Sequence, residues 1–427
     1  MPTPSDSSAG PEASNPNRAG LDWPAAVIAG AYQTGVLGVR ALVRRGVRAC
    51  CFDCHLDYPG FRSVYGPAHA CPNPDIDAQG WVNFMISLAG KVGGVGGKPV
   101  LIPSADQFVS AIAAHANTLA KHYVLSPGVP LQGRLATKET QYALAAEYGM
   151  PLPNTKLVHS EEDVRCFARE VRFPCLLKPL HFREWELFPE GHPLSHEKVA
   201  IAETPQSLLA AWRLAATVNP KAIVQEIIEG PDTAKRVYVA CYDRGGRRIA
   251  NAMFRELRCA PVRFGPATVS EPVVDAETDD LCDRWLRNLG YSGICEIEMK
   301  RDGCDGRLKL IEANPRLTGN GDAAPYAGVD VCWLHYLDLI GKPVTPVVGN
   351  GRDFRHIVLR SDPSAIIAYR KAGLISWRDV ARSYKRPLAF YDFDLHDWRY
   401  SAETIYLMAR SAVGGLVRSA WSRRRPS

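Results

Sequence analysis

Between Gly293 and Asn320 the chain reads GICEIEMKRDGCDGRLKLIEANPRLTGN, and two carboxylates and an amide stand there at spacings that chemistry can use. Ile294 to Met299 reads as a strand, Arg301 to Gly306 as a turn, and Leu308 to Glu312 as a second strand. A hairpin of this shape brings Glu298 and Glu312 to one face, with Asn314 two residues on, where the strand passes into a loop. Two carboxylates and an amide oxygen are hard ligands that suit Mg²⁺, with Mn²⁺ as an alternative ion. A solvent-facing acidic hairpin is the competing explanation. It does not account for the apolar runs around both glutamates, such as Leu310 and Ile311, because a carboxylate buried there is costly unless it is paired or binds a metal.

The elements that must carry this hairpin alternate between strand and helix. An apolar run at Ala25 to Gly30, a glycine-containing turn through Gly35 and Gly38, a helical stretch at Val39 to Arg45 and a strand at Val47 to Phe52 make a βαβ opening. The glycine spacing is not G-x-G-x-x-G, so close helix–strand packing explains it better than a dinucleotide site. KVGGVGGK at Lys91 to Lys98 is followed by Pro99, which breaks the phosphate-loop pattern and leaves a turn before the buried strand Val100 to Ile102. Ser104 and Asp106 are the expected caps of a helix running to about Lys121. Thr137 and Lys138 open an alanine-rich helix that stops at Gly149. The organisation expected is a lead-in over 1–22, a Rossmann-like domain over 23–130, a second domain over 131–345 with a lid at about 153–230, and a basic, aromatic extension over 346–427.

Once these elements are in order, the segment Leu310 to Arg316 (LIEANPR) resembles the metal-binding signature of the ATP-grasp superfamily, and the agreement runs over roughly residues 25 to 340. Within it the chain is most similar to carboxylate–amine ligases of the D-alanine and D-aspartate ligase type. The resemblance implies an α/β (α+β) ATP-grasp fold behind a Rossmann-like N-terminal domain. It implies ATP and Mg²⁺, with Glu298, Glu312 and Asn314 as metal ligands. Lys138 resembles the first nucleotide lysine, and Lys178, at the end of the strand FPCLLKP, the second; without the resemblance Lys138 reads as a solvated helix lysine. Ile223 to Asp232 resembles the linker along the adenine, with backbone groups near Glu226 and Ile228 reading the base, Gln225 facing its amine and Asp232 holding the ribose. The alternation there is expected to give a strand edge with free backbone donors.

His181 to Glu197 is long, charged and aromatic. Its His181, His192 and His196 offer no ligand pair on one helical face, so a mobile flap over the phosphates is expected, with Lys198 adding a positive charge at its end. Of the arginines Arg236, Arg255, Arg258, Arg263 and Arg316, the last is the one expected to bind a phosphate or a substrate carboxylate. Arg316 and Lys178 are therefore the expected catalytic residues. The implied reaction moves a phosphoryl group to a carboxylate and then joins the acyl group to an amine. A phosphotransferase and a non-catalytic nucleotide-binding module are the alternatives, the last of which should have lost its metal ligands.

Composition sets outer limits. With 46% hydrophobic and 22% charged residues, the 427-residue chain can bury two or three cores. Its net charge of +6 is spread out, which excludes a concentrated nucleic-acid surface. No run approaches ~18 apolar residues, no export signal is seen and the twelve cysteines form no disulfide framework, so a cytoplasmic protein with reduced thiols is expected. Cys51, Cys54 and His55 spell the haem-attachment pattern, but at the end of a strand, where coincidence is the better reading. The expected partners are small carboxylate and amine substrates, amino acids or a peptide, and a homodimer is left open. From Ser401 to Arg425, Ile405, Met408, Leu416, Val417 and Trp421 alternate with arginines. That helix either packs on the domain with a solvated basic end, the favoured reading, or rests on an anionic membrane surface.

Overall fold

The computed structural model describes residues 22–422 apart from 94–96, 181 and 196, and it describes no side chains at 182–183 or 411–422. The lead-in through residue 21, part of the Lys91 to Lys98 turn, His181, His196, the side chains of Leu416, Val417, Arg418 and Trp421, and residues 423–427 lie outside the described residues.

The first sheet is parallel and four-stranded. It holds β1 (Ala26–Ala29), β2 (Ala49–Asp53), β3 (Ala68–Ala70) and β4 (Val100–Pro103) in the order β3-β2-β1-β4. A strand covered on both faces must be apolar throughout, and β1 is buried at all four positions. Gly35 in the first helix (Gln33–Val43) meets the Gly30 carbonyl so closely that a Cβ would sit 1.9 Å from its oxygen. That contact is the packing role expected of these glycines. Cys51 lies buried within β2.

The helix after β4 corrects an expectation. It runs Asp106–Ala114, a short second helix Ala116–Leu119 follows, and neither Ser104 nor Asp106 caps it. The Ser104 hydroxyl instead donates to the Ala29 carbonyl at 3.0 Å inside the sheet, and Asp106 is drawn away by an arginine described below. By contrast Thr137 caps the helix Lys138–Glu147 as expected, and the chain leaves it through Gly149 at φ +71°.

A second, antiparallel sheet contains β5 (Thr155–Val158), β6 (Cys175–Pro179), β7 (Ala200–Ala202) and β8 (Ala222–Glu226) in the order β5-β8-β6-β7. Here β8 is an interior strand, not an edge. It pairs with β5 on one side and β6 on the other, so its backbone donors are spent within the sheet, and the free stretch begins only after Glu226.

The third sheet has eight strands: β9 (Lys235–Tyr242), β10 (Arg248–Cys259), β11 (Ala267–Pro272), β12 (Gly293–Arg301), β13 (Leu308–Asn314), β14 (Val347–Val348), β15 (Arg355–Ile357) and β16 (Leu388–Phe390). Its order is β13-β12-β9-β10-β11-β15-β16, with β14 beside β10. The stretch after residue 346 thus completes the central sheet. Alternation divides the faces. Cys295, Ile297 and Met299 enter a core with Trp285 and Leu310, while Glu296 and Glu298 face the other way. The last helix, Trp398–Ser422, buries Tyr400, Ser401 and Thr404 against the body and leaves Ile405 and Tyr406 exposed. Among the described residues, no helix is long and apolar enough to cross a membrane.

Candidate active site

The hairpin expected from the sequence is present, and Glu298 stands directly opposite Glu312 in its register. The register shifts between Glu298 and Met299, and this irregularity turns the end of β13 so that Glu312 and Asn314 share the face of Glu298. Asn314 donates to Glu312 at 3.3 Å. Burial, followed by the charges of Glu312, Glu256 and Glu296, pushes the Glu298 carboxyl well above the ordinary carboxylate range. That crowding of negative charge is the condition a hard divalent cation relieves, and the oxygen donors fit one. Glu298, Glu312 and Asn314 are the side chains here that could hold such an ion.

Lys178 ends β6 almost fully buried, with its ammonium donating to the Gln225 side chain at 2.7 Å. Burial, then repulsion from Lys138, presses it down to about 7, against the pull of Glu312 and Glu298. Lys138 is half-buried rather than solvated. Burial lowers its pKa, Glu312 and Asp106 draw it up, and Lys198, itself exposed, repels it. Lys138, Lys178, Glu298 and Glu312 therefore act on one another electrostatically, and Lys198 reaches the group through Lys138.

Gln225 is tied into the sheet: its amide nitrogen donates to Thr155 at 2.9 Å and its oxygen accepts from the Lys178 ammonium. Glu226 accepts from the Arg172 backbone at 3.3 Å, and its own N–H goes to Asn154. The Ile228 carbonyl accepts from Lys300 at 2.9 Å. Asp232 is buried and accepts from the Arg263 backbone at 3.3 Å and from the Tyr369 hydroxyl.

Arg316 grips Asp106 through two hydrogen bonds of 2.5 and 2.9 Å and donates to the Asn314 oxygen at 3.1 Å. It joins the parallel sheet's helix to the metal-type side chains. Of the other arginines, Arg236 pairs with Asp275, Arg255 with Glu271 and Arg258 with Asp362, while Arg263 meets Asp232 through its backbone N–H. The stretch from Phe182 is anchored, since Trp185, Phe188 and Leu194 bury in the core of the second sheet and His192 stacks on Phe188 at 3.9 Å.

Sequence reasoning missed three residues on this face. Glu296 accepts a 2.6 Å bond from Thr318, and burial pushes it up to about 7. Glu256 pairs with Lys235 at 2.8 Å, both buried. The i−2 spacing of Glu296 from Glu298 was the signal for the first. Nothing local marked the second pair, which is joined only across β9 and β10.

An α/β chain with this pair of sheets, preceded by a parallel domain, has the ATP-grasp fold. N5-carboxyaminoimidazole synthetase from Staphylococcus aureus complexed with ADP superposes with a TM-score of 0.59 at 14% identity, over 78% of this chain and 82% of that one. In sequence, the chain is 28% identical over 229 residues to D-aspartate ligase of Enterococcus faecium, covering 51% of this chain and 53% of the relative. It is 27% identical over 215 residues to D-alanine–D-alanine ligase of Pseudomonas entomophila, covering 46% and 60%. The chain thus has the ATP-grasp fold and is similar in sequence to carboxylate–amine ligases over about half its length. No family profile matches it. The matched stretches span between half and three-fifths of these curated relatives.

Proposed function

We propose that the chain is an ATP-dependent carboxylate–amine ligase, joining two small substrates of the amino-acid or peptide class through an acyl phosphate. One observation carries the reading: Glu298 and Glu312 face each other beside Asn314, within electrostatic reach of the buried Lys178. A buried lysine and buried, crowded carboxylates are both unfavourable alone, and a metal–triphosphate brings the opposite charge to each.

In this reading Lys138 and Lys178, with Lys198 at the rim, neutralise the phosphates, and the chain around Glu226 and Ile228 receives the base. Asp232 takes the ribose. Arg316 stabilises the transferring group or the substrate carboxylate, held in place by Asp106. Glu298, Glu312 and Asn314 would hold Mg²⁺, which would supply positive charge to offset that of the phosphates. The γ-phosphoryl group passes to a carboxylate oxygen, releasing ADP. The amine then attacks the acyl carbon and phosphate leaves. Alignment and charge do this work, and no protein nucleophile is needed. Support for the substrate class comes from the relatives, which are named as ligases of D-aspartate and D-alanine.

The test is ADP release with Mg²⁺ against a panel of amino acids and short peptides, offered singly and in pairs. Release that depends on a carboxylate–amine pair is expected. Release with a single substrate, yielding a stable phosphorylated product, would make the protein a phosphotransferase. ATP binding without release under any pairing would leave a binding module.

A further inference from the structure

Asp232 is unevenly satisfied. Its Oδ2 accepts from the Tyr369 hydroxyl and from the Arg263 N–H, while its Oδ1, equally shut from water, has no partner among the described residues. A buried carboxylate oxygen left without a donor costs free energy.

Tyr369 reaches this carboxylate from the helix Asp362–Lys371, beyond the segment that resembles the superfamily. The phenol accepts the Cys259 N–H at 3.1 Å and lies 3.4 Å from the Cys259 thiol, which also donates to the Pro261 carbonyl at 3.3 Å. The phenol's own proton goes to Asp232. Burial, followed by the bond to Asp232, holds the phenol protonated far past neutrality. Seven residues before Tyr369, two turns back on the same helical face, Asp362 anchors the helix. Its oxygens accept from Arg258 at 2.9 and 2.8 Å, from Thr268 at 2.7 Å and from the Tyr384 hydroxyl.

We propose that Tyr369 is a positioning residue for the nucleotide, fixing Asp232 so that its free oxygen accepts a ribose hydroxyl, and that the segment after residue 346 is thereby part of the nucleotide site. This rests on the ligase reading only in requiring that Asp232 meets the nucleotide.

Equilibrium binding of ATP, 2′-deoxy-ATP and 3′-deoxy-ATP, each with Mg²⁺, tests it without turnover. Wild-type protein should bind ATP about ten-fold more tightly than at least one deoxy form. In Tyr369→Phe and in Asp232→Asn that preference should collapse toward unity, and the double variant should lose no more than Asp232→Asn alone. Because two nucleotides are compared on one variant, an unfolded fraction reduces the number of sites but not the ratio. A wild-type preference retained in Tyr369→Phe, or losses that multiply in the double variant, would overturn the inference while leaving ATP binding intact. Absence of ATP binding in the wild type would instead bring down the function proposed above, and this inference with it.

Discussion

Arg316 and Asp106 join two sheets through a two-pronged ion pair, and the same guanidinium touches Asn314. Burial opposes the charge on Arg316, and Asp106 more than restores it. Asp106 is half exposed, so the pair should add less than about 1 kcal/mol to stability. Its larger effect is aim. Asp106→Ala is expected to leave the melting temperature nearly unchanged and to lower kcat/KM by roughly ten-fold, while Arg316→Lys, which cannot form the two-pronged contact, should not rescue activity. Wild-type kcat/KM in Asp106→Ala would show that the arginine needs no such partner.

Glu312→Gln keeps the shape of the hairpin and removes one charge from the group of carboxylates. Substrate-dependent ADP release should fall by roughly 100-fold or more, with an unchanged circular dichroism spectrum. Full turnover in this variant would remove the metal assignment.

Lys178 offers a test by pH. Its folded value of about 7 lies below that of the free side chain, so the unfolded chain holds the extra proton between them. Stability tied to this lysine is therefore present at high pH and is lost as pH falls toward 7. Lys178→Met should stabilise the nucleotide-free protein most near pH 6, by about 1–2 kcal/mol, with the advantage shrinking toward pH 10. The same variant should bind ATP poorly. Thermal melts across that range check the sign, and an advantage that grows with pH would contradict it.

Arg258 and Asp362 are both nearly inaccessible, at 3% and 1% side-chain exposure. Asp362→Ala leaves an uncompensated buried guanidinium and should cost about 3–5 kcal/mol, read from denaturant unfolding. If the cost is below about 1 kcal/mol, the helix carrying Tyr369 is held by something else.

The parallel opening, the capped helix at Lys138 and the acidic hairpin were legible because each is written locally. Apolar runs, a Thr cap and alternation need no distant partner. The interior position of β8 was not legible, since alternation looks the same in a central and an edge strand. The partners of Gln225 were hidden for the same reason: Lys178 and Thr155 lie on other strands. β14 to β16, at two or three residues each, are too short for any periodicity to mark them. Ser104 resembled a cap, but the nearer demand was a buried carbonyl in β1.

One consequence concerns biosynthesis. β15 covers the flank of β11, and it lies some eighty residues further along the chain. As the polypeptide emerges from the ribosome, that flank stays bare, a template to which another unfinished copy can add its own strand. Shortened products that stop before residue 355 should accordingly clump, so fusion partners and truncations are best designed to spare this late-arriving cover.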